Sequence, residues 1–364
     1  MGLIAAKYYH DIYLILVSVL TFITINRYQK RFGNQFIYSA KSFNRKGGIL
    51  TLIIILFIGL RPVNPIFADM CNYNNAYNTL FLQPFYFERN TDNLLFDNII
   101  PFMASKGWPN WFFFLFIATL YFGLVYIACK RLFPRDSYVA FLVFLAAFST
   151  FSYGVNGIKA GLAASVFILA ISYREKLIIS IPLVLLTYTL HHSMPIAIVA
   201  FLISLINRNV KITFYFWIFC LIMAIFHVTY FQTLFAGLTD ESGSRYLITN
   251  SDSFVTGFRL DFIIYSMMPI LIGWRHIRRH KVISKTYNTL LQTYTLANSV
   301  WLLCIYASFT NRIAYLSWFL YPIVLIYPYL NEEYRGNRYI MFAKAATIQL
   351  LFTLFMHFIY YKLF

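Results

Sequence analysis

Acidic residues are scarce in this chain. It holds 13 Asp and Glu among 364 residues, against 30 Lys and Arg. Charged residues of both signs reach only 12%, where soluble domains carry about 25%, and mean hydropathy is +0.64. A chain this poor in polar groups cannot be coated by them, so lipid is its solvent. Strictly alternating segments are missing too, which excludes a membrane barrel. Cysteine is limited to Cys71, Cys129, Cys220 and Cys304, with neither paired nor metal-ligand spacing. There is no acidic metal cluster, no domain-length polar segment and no internal repeat, and the last point argues against an inverted-repeat transporter. The first apolar segment lacks a small-residue cleavage site and reads as a retained helix. The net charge of +17 comes without a basic, aromatic-interleaved stripe outside the apolar segments, so nucleic-acid binding is rejected.

What is abundant is apolar and aromatic. Phe, Tyr and Trp make up 20% of the chain; Phe suits hydrocarbon, while Tyr and Trp suit the headgroup belts. The expectation is an all-α, polytopic membrane protein forming one multi-span domain over 1–364. About twelve spans fall near 8–26, 48–61, 109–129, 138–153, 156–173, 177–190, 194–206, 212–231, 258–274, 287–308, 312–330 and 339–361. Several are too short to cross hydrocarbon alone, so those helices extend further or end beside a cavity. The basic loops 27–46, 130–136, 174–176, 207–211, 275–285 and 331–338 all fall on one side if twelve spans alternate. That side is cytoplasmic by the positive-inside bias, which leaves both termini outward. Two larger outer loops remain, 62–108 and 232–257. The first carries Asp69, Tyr73, Tyr77, Glu88, Asp92 and Asp97, and its Asn and Pro content predicts irregular structure with short helices.

Five cations defy the charge bias: Arg61, Lys159, Arg245, Arg259 and Arg312, each at or near the outer end of a span. Any of them placed a few residues into hydrocarbon costs about 2.5–3.5 kcal/mol on the insertion scale. Arg61 reads equally as a snorkelling helix cap or as a cation facing Asp69 at a cavity mouth. Gly157 and Gly161 form a small-xxx-small pair, which usually means close helix packing. That packing does not account for Asn156 and Lys159 in the first turn of a membrane helix, where free N–H groups and a cation favour an anion. His191 and His192 sit at an outer turn, either bonded structurally or acting as acid–base groups. His276 and His280 have i, i+4 spacing but lie in a basic inner loop without a carboxylate, and read as solvated or headgroup-facing. Arg259 and Asp261 are close enough in sequence to pair, and Arg312 opens a span beside Asn311.

Taken in order, these motifs resemble the EpsG-type family of Wzy-like polymerases of surface polysaccharides. They are Gly59-Leu60-Arg61 followed by Asp69 and Tyr73, then the run Asn156 to Ala163, then the outer-turn His. Gly257-Phe258-Arg259-Leu260-Asp261-Phe262 and the stretch Asn311 to Pro322 complete the set. The resemblance runs from about residue 50 to 330. The family commonly has Asn-x-x-Arg-Gln where this chain has Asn156, Lys159 and Ala160; Lys keeps the charge and loses the bidentate fork.

The resemblance implies glycosyl transfer on the outer leaflet of a bacterial inner membrane, without a cofactor or metal. The donor is a glycan on undecaprenyl pyrophosphate, and the acceptor a lipid-linked repeat unit. Arg61, Lys159, Arg245, Arg259 and Arg312 would hold the pyrophosphate as charge gathers on it. His192, His191 and Asp69 are candidate bases, in that order. Tyr73, Asn156, Asp261 and Asn311 would bind glycan, and a chain-length regulator or flippase of the same pathway is an expected partner. Two rival classes are a lipid-linked oligosaccharide flippase, which places its charges near the bilayer midplane, and a membrane sugar acyltransferase, which needs fewer cations.

Overall fold

A computed structural model describes residues 4–30, 40–207, 209–236, 257–280, 283–307, 310–334 and 336–361. The described residues are helical, with no strand among them. The helices are α1 (Tyr9–Lys30), α2 (Ala40–Gly59), α3 (Met70–Thr79), α4 (Phe96–Ser105), α5 (Asn110–Leu132), α6 (Ser137–Leu145), α7 (Phe148–Val155), α8 (Ile158–Ser172) and α9 (Leu177–Leu190). They continue as α10 (Pro195–Ile206), α11 (Val210–Ile225), α12 (Tyr230–Ala236), α13 (Leu260–Arg279), α14 (Lys285–Leu303), α15 (Thr310–Trp318), α16 (Tyr321–Leu330) and α17 (Arg338–Phe355). The twelve apolar stretches fall largely on these helices, with 138–153, 212–231 and 312–330 each divided between two. By length and composition four of them can cross a membrane: Ala6–Tyr28, Asn110–Leu132, Thr310–Leu330 and Arg338–Tyr360. The bent pair α6–α7 makes a fifth if it is one span, and four shorter apolar helices follow from Ile158 to Ile225. The 62–108 loop contains α3 and α4, in keeping with its sequence. Most of 232–257 lies outside the described residues.

The chain divides into two compact units, one of Met1–His191 with Tyr339–Phe364 and one of His192–Arg338. In the first unit α5 is central and packs against α2, α6 and α8. A Cβ on Gly59 would lie 2.8 Å from the Leu115 backbone, so α2 and α5 approach this closely only through glycine.

The stretch 138–153 is not one helix. It breaks between α6 and α7 with a bend of 77°. A break inside an apolar segment leaves carbonyls without helical partners, and apolar surroundings offer none. Side chains of α1 and α17 supply three of the partners, and α7 itself supplies a fourth. Tyr13 Oη donates to Leu145 O at 2.7 Å, Gln349 Nε2 to Val143 O at 2.7 Å, Thr353 Oγ1 to Ala146 O at 2.9 Å, and Thr150 Oγ1 to Phe144 O at 2.6 Å.

Hydrogen bonds also fix which helix ends lie together. At one end of the first unit Tyr126 Oη and Ser137 Oγ meet Asn44, and Arg131 Nε donates to Ser172 Oγ. Beside these contacts lie Arg45, Lys46, Lys130, Arg135, Arg174 and Lys176, so three of the basic loops share this end. The opposite end holds the close of α2, the start of α5, the close of α7 and the start of α8.

In the second unit α14 is central, packed by α10, α11, α15 and α16. Its buried face is polar: Gln292, Thr293, Thr295, Asn298 and Ser299 are all buried. Asn298 accepts from Trp217 Nε1 at 2.8 Å and donates to Ser317 Oγ at 3.1 Å, while Ser204 and Thr293 hydroxyls meet at 3.1 Å. Such bonds join helices where apolar contact alone gives little specificity in lipid.

Candidate functional site

The end of the first unit opposite the basic loops gathers residues from four sequence regions. Arg61 follows the last turn of α2 and is 4% exposed. Its Nη1 donates to Ile58 O at 2.7 Å, which caps α2. Its Nη2 reaches across to Val155 O, the last carbonyl of α7, at 2.8 Å. The guanidinium lies 5.5 Å from the Phe67 ring and 5.4 Å from the Phe114 ring, and Nε is buried without a protein hydrogen bond. Arg61 therefore caps a helix and also ties that helix to the one after the break.

Asn156 is the residue after Val155. Its Oδ1 accepts the backbone N–H of Asp69 at 3.2 Å, fastening the 62–108 segment to the α7–α8 corner. Asp69 precedes the first turn of α3, and Ala68 before it has φ 44° and ψ −101°. A non-glycine residue there stores about 1–3 kcal/mol, sustained only where surrounding contacts fix it. Tyr73, one turn into α3, packs near the rings of Phe96 and Phe113. Tyr77 is buried and donates to Trp108 O at 2.8 Å; burial raises its phenol above the ordinary value, which keeps the donor protonated.

Lys159 is the second residue of α8. Its Nζ pairs with Asp97 Oδ1 at 2.8 Å, with side chains 25% and 28% exposed, and lies 5.3 Å from the Phe96 ring. Asp97 Oδ2 accepts the Asn93 N–H at 3.2 Å, so the carboxylate is held on both sides. The turn between α7 and α8 is tight. A Cβ on Gly161 would sit 2.6 Å from Tyr153 O, whereas one on Gly157 meets only ordinary contacts. Close packing thus accounts for Gly161 rather than for the pair. His191 closes α9 at this same end: the carbonyl of nearby Thr189 accepts the N–H of Leu95, two residues before Asp97.

The second unit holds the other sequence candidates. Arg259 precedes α13 and clasps Asp261 with two bonds, Nε to Oδ1 at 2.9 Å and Nη2 to Oδ2 at 2.6 Å. The side chains are 11% and 23% exposed, and the guanidinium lies 3.7 Å from the Phe262 ring. Arg312 is exposed and Asn311 half-buried in the first turn of α15, while half-buried His192 opens this unit. Arg245 lies outside the described residues.

Two groups escaped the sequence reading as site residues. Asp97 was one acid among several in a polar loop, and only Lys159 singles it out. The other is a dyad in the first unit, where the His357 Nε2 and Asp11 Oδ1 atoms are 2.6 Å apart. His357 lies in a π-helical turn, Met356–Tyr360, at the end of α17; such turns often mark functional positions. Tyr9, two residues before Asp11, stands edge-on to the same Phe67 ring that faces Arg61. The signal available in the sequence was the scarcity of acids: with 13 in the chain, an Asp beside an apolar run asks for a partner.

Chemically, this end offers a buried cation, a part-exposed ammonium–carboxylate pair, a strained corner beside Asp69 and the imidazoles of His191, His10 and His357. Among the described residues no three His, Cys, Asp or Glu gather as metal ligands. A search of curated proteins and one of solved structures each returned no match. Residues 46–363 match the EpsG family, which takes in both units and nearly the whole chain. The chain belongs to the EpsG family, a Wzy-like polymerase-type family.

Proposed function

We propose that this protein polymerises a bacterial surface polysaccharide in the cytoplasmic membrane, with the Arg61 end of its first unit facing outward. The growing glycan on undecaprenyl pyrophosphate is the donor, and a lipid-linked repeat unit is the acceptor. The acceptor hydroxyl oxygen attacks the anomeric carbon. The bond from that carbon to the pyrophosphate oxygen breaks, the lipid pyrophosphate leaves with the electron pair, and the hydroxyl proton passes to a base.

The observation that carries this reading is the convergence of Arg61, Asp69, Asn156 and Lys159 at one end of one unit. They lie up to 98 residues apart in sequence, and all four belong to the family-like motifs. Leaving-group charge needs preorganised cations, and Lys159 holds one out, part-exposed, on a fixed carboxylate. Arg61 is the deeper cation and sets the α2–α7 corner. His192, His191 and Asp69 are the candidate bases in that order, with His191 and Asp69 at this end and His192 opening the second unit; Tyr73 and Asn156 are the glycan-contacting side chains. Arg245, Arg259 and Arg312, with Asp261 and Asn311, enter by residue type and resemblance, Arg259 being held meanwhile by Asp261. Twelve crossings with both termini outward belong to the same proposal, and the shared end of three basic loops in the first unit supports it.

The test is what accumulates when the gene is deleted. Single lipid-linked repeats on the outer face, cleared by restoring the wild-type chain, are the expected result. Repeats trapped on the inner face would replace this reading with a flippase, and full-length polymer lacking a substituent would replace it with an acyltransferase.

A further inference from the structure

Behind the Lys159–Asp97 pair, the first unit has a partly open cavity of about 700 Å³ walled by α4, α5, α8 and α9. Ligand sites commonly span about 300–1,000 Å³, so this is the size of a site and not of a packing flaw. Along α5 its wall is the stripe Phe112, Phe116, Leu120 and Leu124. Twelve residues of helix make that stripe about 18 Å long, so the space is elongated.

The lining is almost wholly apolar, its polar groups being the Asn98 amide and the Trp108 indole N–H. The Asn98 amide is already engaged. Its Oδ1 accepts the Glu88 N–H at 2.8 Å, and its Nδ2 donates to Glu88 O at 2.8 Å and Leu94 O at 2.7 Å. One indole N–H cannot orient a sugar or a nucleotide, so the occupant is an apolar chain.

Nor is this a bare helix face. Residues 80–95 fold over it and are fastened by Leu82 N–H to Ala104 O at 3.0 Å and by Leu95 N–H to Thr189 O at 2.9 Å. Phe85, Phe102 and Trp108 pack edge to face along it and stay part-exposed. The cover meets charge at one corner. Leu162 in the wall is one turn, about 4.5 Å of rise, beyond Lys159 on the same face of α8. Asp97, which pairs with Lys159, is the neighbour of Asn98. An ammonium has three donors, and Lys159 directs one to Asp97. An anionic head at Lys159 and a long apolar chain in the cavity fit this order of chemistry.

We propose that the cavity holds the head-proximal isoprenyl segment of a polyprenyl phosphate lipid, with the phosphate at Lys159. The proposal rests on the polymerase reading for the choice of lipid and adds where that lipid sits. Its test needs no repeat unit. The full-length protein in lipid nanodiscs is photolabelled with a diazirine-bearing polyprenyl phosphate, and labelled peptides are mapped by mass spectrometry. Label is expected on the α8 and α9 wall. Undecaprenyl phosphate should compete about tenfold better than dioleoyl phosphatidic acid, about 1.4 kcal/mol of preference. Val166→Trp and Leu186→Trp, which fill the cavity, should each lower labelling about tenfold.

Equal competition by phosphatidic acid would make this an ordinary phospholipid site and overturn the proposal. Label elsewhere on the wild-type chain would overturn it without any variant having to fold, and would leave the polymerase reading standing. Labelling as expected alongside inner-face repeats in the deletion strain would keep the cavity assignment and reject the polymerase.

Discussion

Arg61 in the first unit and Arg259 in the second carry the same guanidinium in different settings. Arg61 is 4% exposed and bonds two carbonyls, one of them 94 residues away. Arg259 binds a carboxylate two residues on, and both side chains keep some solvent contact. The first arrangement is architecture: without it, Val155 O would have no partner in a region with little water. The second is local, formed and broken within one helix start. A cation held by neutral carbonyls keeps its full charge, whereas one clasped by a carboxylate is neutralised until something displaces that partner. Lys159 lies between these cases, since its carboxylate comes from another helix and a quarter of its side chain is exposed.

This contrast is easiest to break at Arg61. Arg61→Ala removes two charge-assisted bonds and should destabilise the protein by about 3 kcal/mol, with loss of polymer. Arg61→Lys, lacking the fork, should recover little of either. A thermal-unfolding series in detergent reads the first effect and polymer yield the second; a variant as stable as the wild type would remove the architectural role. Lys159→Ala should behave differently. A part-exposed pair contributes about 1 kcal/mol or less to stability, so melting should hardly move, while polymer formation falls about a hundredfold if Lys159 meets developing charge. Lys159→Arg should restore most of it, and a large melting shift with little loss of rate would assign the pair to folding instead.

The smallest effect is expected at the second pair. A cycle of Arg259→Ala, Asp261→Ala and the double variant, scored by polymer yield, should show coupling of about 1 kcal/mol, as for residues in contact. Strict additivity would mean that the two side chains act separately on substrate.

The sequence exposed the helices well because their apolar runs are long and bounded by basic loops. It did not expose the break within 138–153. The residues that make a break tolerable there, Tyr13, Gln349 and Thr353, lie 132, 206 and 207 residues from the carbonyls they satisfy. Nor does apolar length alone tell a crossing from a bent pair. The candidate site was legible wherever a charge interrupted an apolar run, as at Arg61 and Lys159. Asp97 was hidden in a loop where acids are unremarkable, and its meaning comes from the helix it faces. Arg61 was read either as a helix cap or as a cation at a cavity mouth. It does cap α2, and its second bond, to Val155, depends on a chain reversal that spacing does not encode.

The most direct test of the polymerase account gives the purified protein its lipid-pyrophosphate-linked repeat unit in a defined bilayer, with product length and released lipid pyrophosphate measured together. The account predicts a ladder of glycans with one lipid pyrophosphate released for each new linkage, both lost in Lys159→Ala. Repeats that cross the bilayer unjoined, with no pyrophosphate lipid released, would contradict it.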